Sequence, residues 1–416
     1  MIFLLKKIAN KFMNGILLNN KKHQFLFLLI FVFILAFLLR TYGLNWDQGH
    51  HLHPDERQIT MVAMDIKFPE SQKIYDIFSP NSPLNPKFFA YGSLPIYLLK
   101  LSGYAMSFFN SDFLSYDKIN LLGRFLSATF DSLTVLIVYL ITKQLFSSNK
   151  KALLASLIYT LSVLPIQLSH FYAVDTILTF FICLTLYRLI ILNHHFSGKN
   201  SIIVGICFGL ALATKVSAIV LLVPLFFCLT AETIICLLIK VNKQKFSYPR
   251  KIIIFLLSLI NPMFWIKNPI FKFKKKCFYI ILVIIFTLIT FVVWQPFAVI
   301  DFSTFWKQIN EQSAMTKNAF VFPYTLQYVW TLPYWYHFKN IFLWGLGPSL
   351  GILSIFGLIL TLNKFYKGFI NLKDPELHQM LDRAFAFEKD EARKLGIKRE
   401  KIDTKFVGVP KVRGFF

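Results

Sequence analysis

Apolar runs of bilayer length recur along this chain from residue 25 to residue 362, and that recurrence limits it to helices packed in a membrane. Hydrocarbon offers backbone N–H and C=O groups no partner, so each spanning segment must pair its own. A helix needs about 20 mostly apolar residues to cross, within a range of roughly 17 to 25. Taken with ends approximate by a few residues, runs at 25–39, 122–146, 152–168, 177–192, 202–213, 217–239, 278–293 and 342–362 give about eight crossings. Composition agrees: 56% of residues are hydrophobic and 16% charged, too apolar a balance for a soluble globular chain.

The formal net charge of +24 would suggest a nucleic-acid partner if the basic residues were spread over a polar surface. They cluster instead between the apolar runs, as in Lys240, Lys243, Lys245, Arg250 and Lys251, and again in Lys272, Lys274, Lys275 and Lys276. That is the positive-inside pattern, so the expectation is no nucleic acid and a cytoplasmic side for these clusters. The run 94–109 is apolar but interrupted by Pro95, Lys100 and Gly103. Placing it in the outer interface keeps Lys150 and Lys151 cytoplasmic, and its tyrosines Tyr91, Tyr97 and Tyr104 suit that level. The run 252–260 is too short to cross and reads as a re-entrant or surface helix.

The organisation expected is a basic amphipathic lead over 1–24, a membrane domain over 25–362 with large outer loops at 41–121 and 294–340, and a charged tail over 363–416. Both termini are then cytoplasmic and the protein sits in the cell membrane. Cys183, Cys207, Cys228, Cys236 and Cys277 lie in or beside apolar segments with no metal or redox spacing, and read as core residues.

Just past the first run, His50, His51, His53, Asp55 and Glu56 crowd one short loop. A second polar patch, Ser169-His170-Phe171-Tyr172-Ala173-Val174-Asp175-Thr176, joins two spans tightly enough to put its carboxylate at the membrane boundary. Ionisable groups there cost free energy unless paired or hydrated, so they mark candidate sites. Structural alternatives stand beside each. Asp55 and Glu56 could open an interfacial helix after Pro54, where carboxylates favour the helix dipole. Asp175 could cap the helix that follows, Lys215 could snorkel to the interface, and His50 and His51 could be hydrated loop residues. Arg124 could anchor its helix among lipid headgroups, and the aromatic run from Tyr324 to Tyr336 could be a membrane belt.

His53-Pro54-Asp55-Glu56, then Asn85-Pro86-Lys87-Phe88-Phe89-Ala90-Tyr91-Gly92-Ser93-Leu94-Pro95, then Ser169 to Thr176, taken in this order, resemble the bacterial phospholipid-carrier-dependent glycosyltransferases. These are similar to the protein O-mannosyltransferases and aminoarabinose transferases of the GT-C superfamily. Gly209-Leu210-Ala211-Leu212-Ala213-Thr214-Lys215 and Gln295-Pro296-Phe297 leading to Asp301 extend the likeness over 25–362. It implies an all-α polytopic membrane protein, a GT-C-like bundle with juxtamembrane helices on the outer face. It also implies a hexosyl or pentosyl transferase that moves a monosaccharide from a polyprenyl-phosphate carrier to a hydroxyl of a protein, lipid or glycan, on the extracytoplasmic side.

Within that resemblance Asp55 takes the place of the general base, with Glu56 as its helper and Asp175 as a further catalytic carboxylate. Arg57, Lys87, Arg124 and Lys215 are candidates to meet the carrier phosphate. Related transferases place a lysine near a Pro-Pro pair where this chain has Ser93-Leu94-Pro95, with Lys87 well upstream. His50, His53, His170 and Tyr172 are candidates for substrate or for a divalent metal, which the resemblance allows without requiring. Two other readings compete: a transporter or flippase of lipid-linked sugar, which needs charges lining a path through the bilayer, and a truncated, noncatalytic relative.

Overall fold

The computed structural model describes residues 23–68, 77–228, 273–320 and 322–370. The lysine-rich stretch 240–251, the run 252–260, Lys272, Cys236, the side chains of 273–277 and most of the lead and tail lie outside them. Every regular element among the described residues is helical. Two compact units are distinguished. One joins Met1–Cys228 to Tyr279–Gly347, and the other joins Leu229–Phe278 to Pro348–Phe416.

In the first unit, α1 (His23–Thr41) leads to a turn and then α2 (Pro54–Asp65). Pro54 suits the first helical position because its missing N–H would have no partner there anyway, and His53 caps the helix by accepting the Glu56 N–H at Nδ1 (3.3 Å). α3 (Ser93–Ser107), α4 (Tyr116–Phe146), α5 (Asn149–Thr160), α6 (Val163–Ser169), α7 (Val174–His194) and α8 (Gly198–Thr214) follow. α9 (Val216–Cys228) opens in 3-10 geometry. α10 (Phe273–Trp294) runs from the second unit into the first and is followed by α11 (Phe302–Lys317). Of the second unit the described part is mainly α12 (Pro348–Ile370), whose leucines and isoleucines from Ile352 to Leu362 are exposed, as befits a helix turned to lipid.

α4 is the axis of the first unit, packed along α5 and α7, with α7 in turn along α8. α8 meets α10 through Gly205 and Gly209, one turn apart on one face. A Cβ on Gly205 would come within 2.6 Å of the Val283 carbonyl oxygen, and one on Gly209 within 2.6 Å of Thr290 Cβ. Small residues at this spacing let two backbones touch, which is how helices associate where lipid is as apolar as leucine.

Three helices, α1, α4 and α7, are long and apolar enough to cross a membrane, and the pair α5 and α6 makes a fourth if its 57° bend is counted as one broken span. The expected count of about eight is therefore not reached among the described residues; α8, α9, α10 and α12 are apolar but shorter over their described lengths. The expected span 152–168 is the bent pair. Pro165, which cannot donate inside a helix, falls in the first turn of α6, and the chain breaks just before it at Leu161 and Ser162. The expected span from 342 begins instead at Pro348, after a π turn at Ile341–Gly345 and a left-handed Gly347. The run 94–109 is α3, a 15-residue helix that is not among the spans. The stretch 294–340, expected to be a loop, contains the helix α11.

A buried ion pair stabilises the bend. The Arg40 Nε donates to Asp131 Oδ2, its Nη1 donates to the carbonyls of Ala36 and Thr160 (both 3.2 Å), and the Tyr159 hydroxyl donates to Asp131 Oδ1 at 2.6 Å. Arg40 and Asp131 are almost wholly buried. The guanidinium thus closes the Thr160 carbonyl, left open where α5 stops, which in hydrocarbon would otherwise have no partner.

Candidate active site

The loop after α1, the start of α2 and the turn between α6 and α7 meet around Arg124 of α4. Its five N–H groups have five acceptors. Nε and Nη2 donate to Glu56 Oε1 and Oε2 (both 2.8 Å), Nη1 and Nη2 to Asp47 Oδ1 and Oδ2 (2.9 and 2.6 Å), and Nη1 to the Leu44 carbonyl (2.8 Å). Arg124 and Glu56 are fully buried. The Arg124 hydrogen bonds hold the Asp47 carboxyl well below the usual carboxylate range, outweighing burial, which acts the other way; the Leu52 and Gly49 N–H groups add to the effect.

Glu56 Oε1 also accepts the Tyr172 N–H (3.0 Å). Tyr172 is itself buried: its hydroxyl donates to the Pro95 carbonyl (2.7 Å), and its ring lies where a Cβ on Gly123 would come within 2.6 Å. Tyr172 therefore ties α2, α3 and α4 together rather than facing a cavity. His170 is engaged likewise, with Nδ1 2.7 Å from the Ile166 carbonyl oxygen and Nε2 2.8 Å from that of Tyr42. His53 stacks on Phe171 at 4.4 Å, and Trp46 donates to the His170 carbonyl at 3.2 Å. His51 pairs with Asp117 at 2.7 Å, and His50 is exposed. Among the described residues no three His, Cys, Asp or Glu side chains come together as a metal site would require.

Asp55, in the first turn of α2, is half-buried. Burial, then the charge of nearby Asp55 and that of Asp175, push the Tyr91 phenol well above its ordinary value. Lys215, just past α8, puts Nζ 3.3 Å from Asp175 Oδ1 and 5.5 Å from the centroid of the Tyr91 ring. The pair is partly open to solvent, with side chains 33% and 42% exposed, enough for an incoming anion to reach the lysine. Tyr324 approaches from the loop before α12, its hydroxyl raised by burial and by the Asp55 charge. Asp55, Tyr91, Lys215, Asp175 and Tyr324 thus form one neighbourhood, and residues 77–271 carry most of it.

Residues 77–271 match the dolichyl-phosphate-mannose-protein mannosyltransferase family. The matched stretch, just under half of the chain, is similar to a GT-C family domain and supports a membrane glycosyltransferase of mannosyltransferase type. No curated protein matches the chain. Tyr91, Arg124, Tyr172, Asp175 and Lys215 lie inside the mannosyltransferase match; Asp47, Asp55 and Glu56 lie ahead of it. Asn85 and Asp301, from two of the ordered motifs, are joined by a 3.0 Å bond from Asn85 Nδ2 to Asp301 Oδ2. Arg57 and Lys87 are exposed, and Lys87 has a left-handed backbone with φ of 50°. Asp47 and Tyr91 were not singled out as site residues from sequence. The signal for Asp47 was its place opposite a spacing that only the fold reveals, and for Tyr91 its position one residue before a glycine that admits no side chain.

Proposed function

We propose that the chain transfers mannose or a related monosaccharide from a polyprenyl-phosphate carrier to an acceptor hydroxyl, with Asp55 as general base, at the extracytoplasmic face. The observation that carries the reading is the partly open Lys215–Asp175 pair beside the Tyr91 ring, with the half-buried Asp55 near enough for its charge to act on the Tyr91 phenol. Group transfer from a phosphate carrier needs those two features: a base for the hydroxyl and positive charge for the departing phosphate. The family name points to dolichyl-phosphate-mannose as donor class and protein as acceptor, the lipid and glycan acceptors being the alternatives.

In this reading the acceptor oxygen attacks the anomeric carbon as Asp55 takes its proton. The bond from that carbon to the carrier phosphate breaks, its electron pair leaving with the phosphate, and attack from the opposite face inverts the centre. Lys215 exchanges its bond to Asp175 for the leaving phosphate, with Arg57 and Lys87 as further solvent-facing cations. Arg124 keeps its hydrogen bonds to Asp47 and Glu56, and Glu56 serves Asp55 by fixing the start of α2. A transporter would need charges along an open path; Arg40 and Asp131 are charged but buried against one another.

Purified protein given polyprenyl-phosphate mannose and a serine- or threonine-bearing peptide tests the base. Asp55→Asn should lower transfer by about 100-fold or more while donor binding persists. Wild-type turnover in that variant would refute Asp55 as base, and movement of intact donor across vesicles without transfer would favour the transporter.

A further inference from the structure

α7 and α8 pack along one another as an antiparallel hairpin whose two ends are fastened differently. At the end that carries the candidate site, Asp175 of α7 meets Lys215, just past α8, carboxylate against cation at 3.3 Å. At the other end Arg188 of α7 reaches Asn200 in the first turn of α8, with Nη2 donating to Asn200 Oδ1 at 3.2 Å. Along α7 those two residues stand about 20 Å apart at the rise of an α-helix, so the fastenings lie toward opposite faces of a bilayer. Asn200 is not free to turn away. Its Nδ2 donates to the His195 carbonyl (2.8 Å) and its N–H to Ser197 Oγ (3.3 Å), which holds the guanidinium at the level of the hairpin turn.

Arg188 lacks what the other two sheltered arginines have. Arg40 holds Asp131, and Arg124 holds Asp47 and Glu56. Among the described residues Arg188 meets no carboxylate. Of its five N–H groups one has the neutral Asn200 oxygen, and Nε is enclosed with no acceptor at all. The neighbouring sequence supplies none either, because no Asp or Glu occurs from 132 to 174 or from 176 to 228. A guanidinium in a membrane span costs free energy until an anion answers it. Cations gather here instead: His194, His195 and Lys199, around the hairpin turn, are exposed. Arg188 is itself partly exposed, so its side chain is open to a group from outside the protein.

We propose that Arg188, steadied by Asn200 and flanked by His194, His195 and Lys199, binds the phosphate of an anionic membrane phospholipid. A phosphate diester can accept two parallel N–H···O bonds from a guanidinium, and its acyl chains remain in the hydrocarbon beside α7. Free phosphate offers the same oxygens without the chains. Bound at the turn, the lipid fastens the hairpin from the end opposite Asp175 and Lys215. The inference stands independently of Asp55 as base.

Native mass spectrometry of the full-length protein in detergent, titrated with phosphatidylglycerol, tests it, with phosphatidylcholine and inorganic phosphate as separate arms. The wild type should retain one phosphatidylglycerol in preference to phosphatidylcholine. Arg188→Gln should weaken that binding about 10- to 100-fold, the scale of hydrogen bonds to a charged group, and Arg188→Lys should recover part of it. Lys150 serves as the control. It is exposed just past α4, which runs parallel to α7 (Ser127 Oγ to Thr176 Oγ1 2.6 Å, then Phe130 to Phe180 5.2 Å), and so lies at the same end. Lys150→Gln should change binding by no more than about threefold, the scale of one exposed charge pair. Equal losses in Arg188→Gln and Lys150→Gln would overturn the site, since summed charge alone would then explain the binding. Phosphatidylcholine bound as tightly as phosphatidylglycerol would overturn it too, and Arg188-dependent capture of inorganic phosphate at the same affinity would replace the lipid with a soluble anion. Counting only folded charge states keeps a misfolded variant from imitating a loss. As a second readout, phosphatidylglycerol should raise the thermal midpoint of the wild type and not of Arg188→Gln; an equal rise in both would sink the proposal.

Discussion

Burial decides what each charged residue can do. Asp55 and Glu56 are neighbours in sequence and opposites in setting, one half-open and one sealed beneath Arg124. Asp47 shows how strongly that seal acts. Its carboxyl titrates lower in the folded protein than in the unfolded chain, so the stabilisation it contributes is complete above the ordinary carboxylate pKa of about 4 and is lost as pH falls toward the folded value. Thermal unfolding in detergent should therefore show a midpoint that declines below about pH 4, and Asp47→Asn should lower the midpoint at neutral pH while removing that part of the acid slope. The sequence showed the acidic loop but not this division of labour. Asp47 and Glu56 look alike on paper, and only the return of Arg124 from 77 and 68 residues away separates them from Asp55. Arg40 and Asp131 were missed for the same reason, since an arginine at the end of one span and an aspartate inside another declare no partnership when 91 residues apart.

Helices were the legible level. The apolar runs at 25–39, 122–146 and 177–192 leave little choice, and they fall inside α1, α4 and α7, helices of 19, 31 and 21 residues. The run 94–109 is α3 to within two residues, and Pro95, Lys100 and Gly103 within it are what argue against a crossing. Breaks were harder: Pro165 was visible, but a proline in a span can kink or end it, and the choice rests on Arg40 arriving to close the Thr160 carbonyl. Close approach between helices is legible once glycines are spaced by a turn. Gly209→Leu should force α8 and α10 apart and lower stability by about 1–3 kcal/mol, the usual cost of overpacking. Gly198→Leu, where the nearest atom is 3.7 Å away, should cost far less in the same thermal measurement.

Across the whole molecule the open question is orientation. The charge pattern predicts that a cysteine at position 150 reacts with a membrane-impermeant maleimide only from the cytoplasmic side, and one at position 50 only from outside. Labelling of position 50 from the cytoplasmic side and of position 150 from outside would reverse the arrangement and move the Asp55 neighbourhood to the cytoplasm. The guanidinium of Arg124 has a further consequence for where this protein can be divided. The mannosyltransferase match starts at residue 77, yet Leu44, Asp47 and Glu56, which supply all five of its acceptors, lie upstream of that point. A fragment cut at residue 77 would enclose a bare cation in its interior, so the edge of the family match and the limit of autonomous folding are different places on this chain.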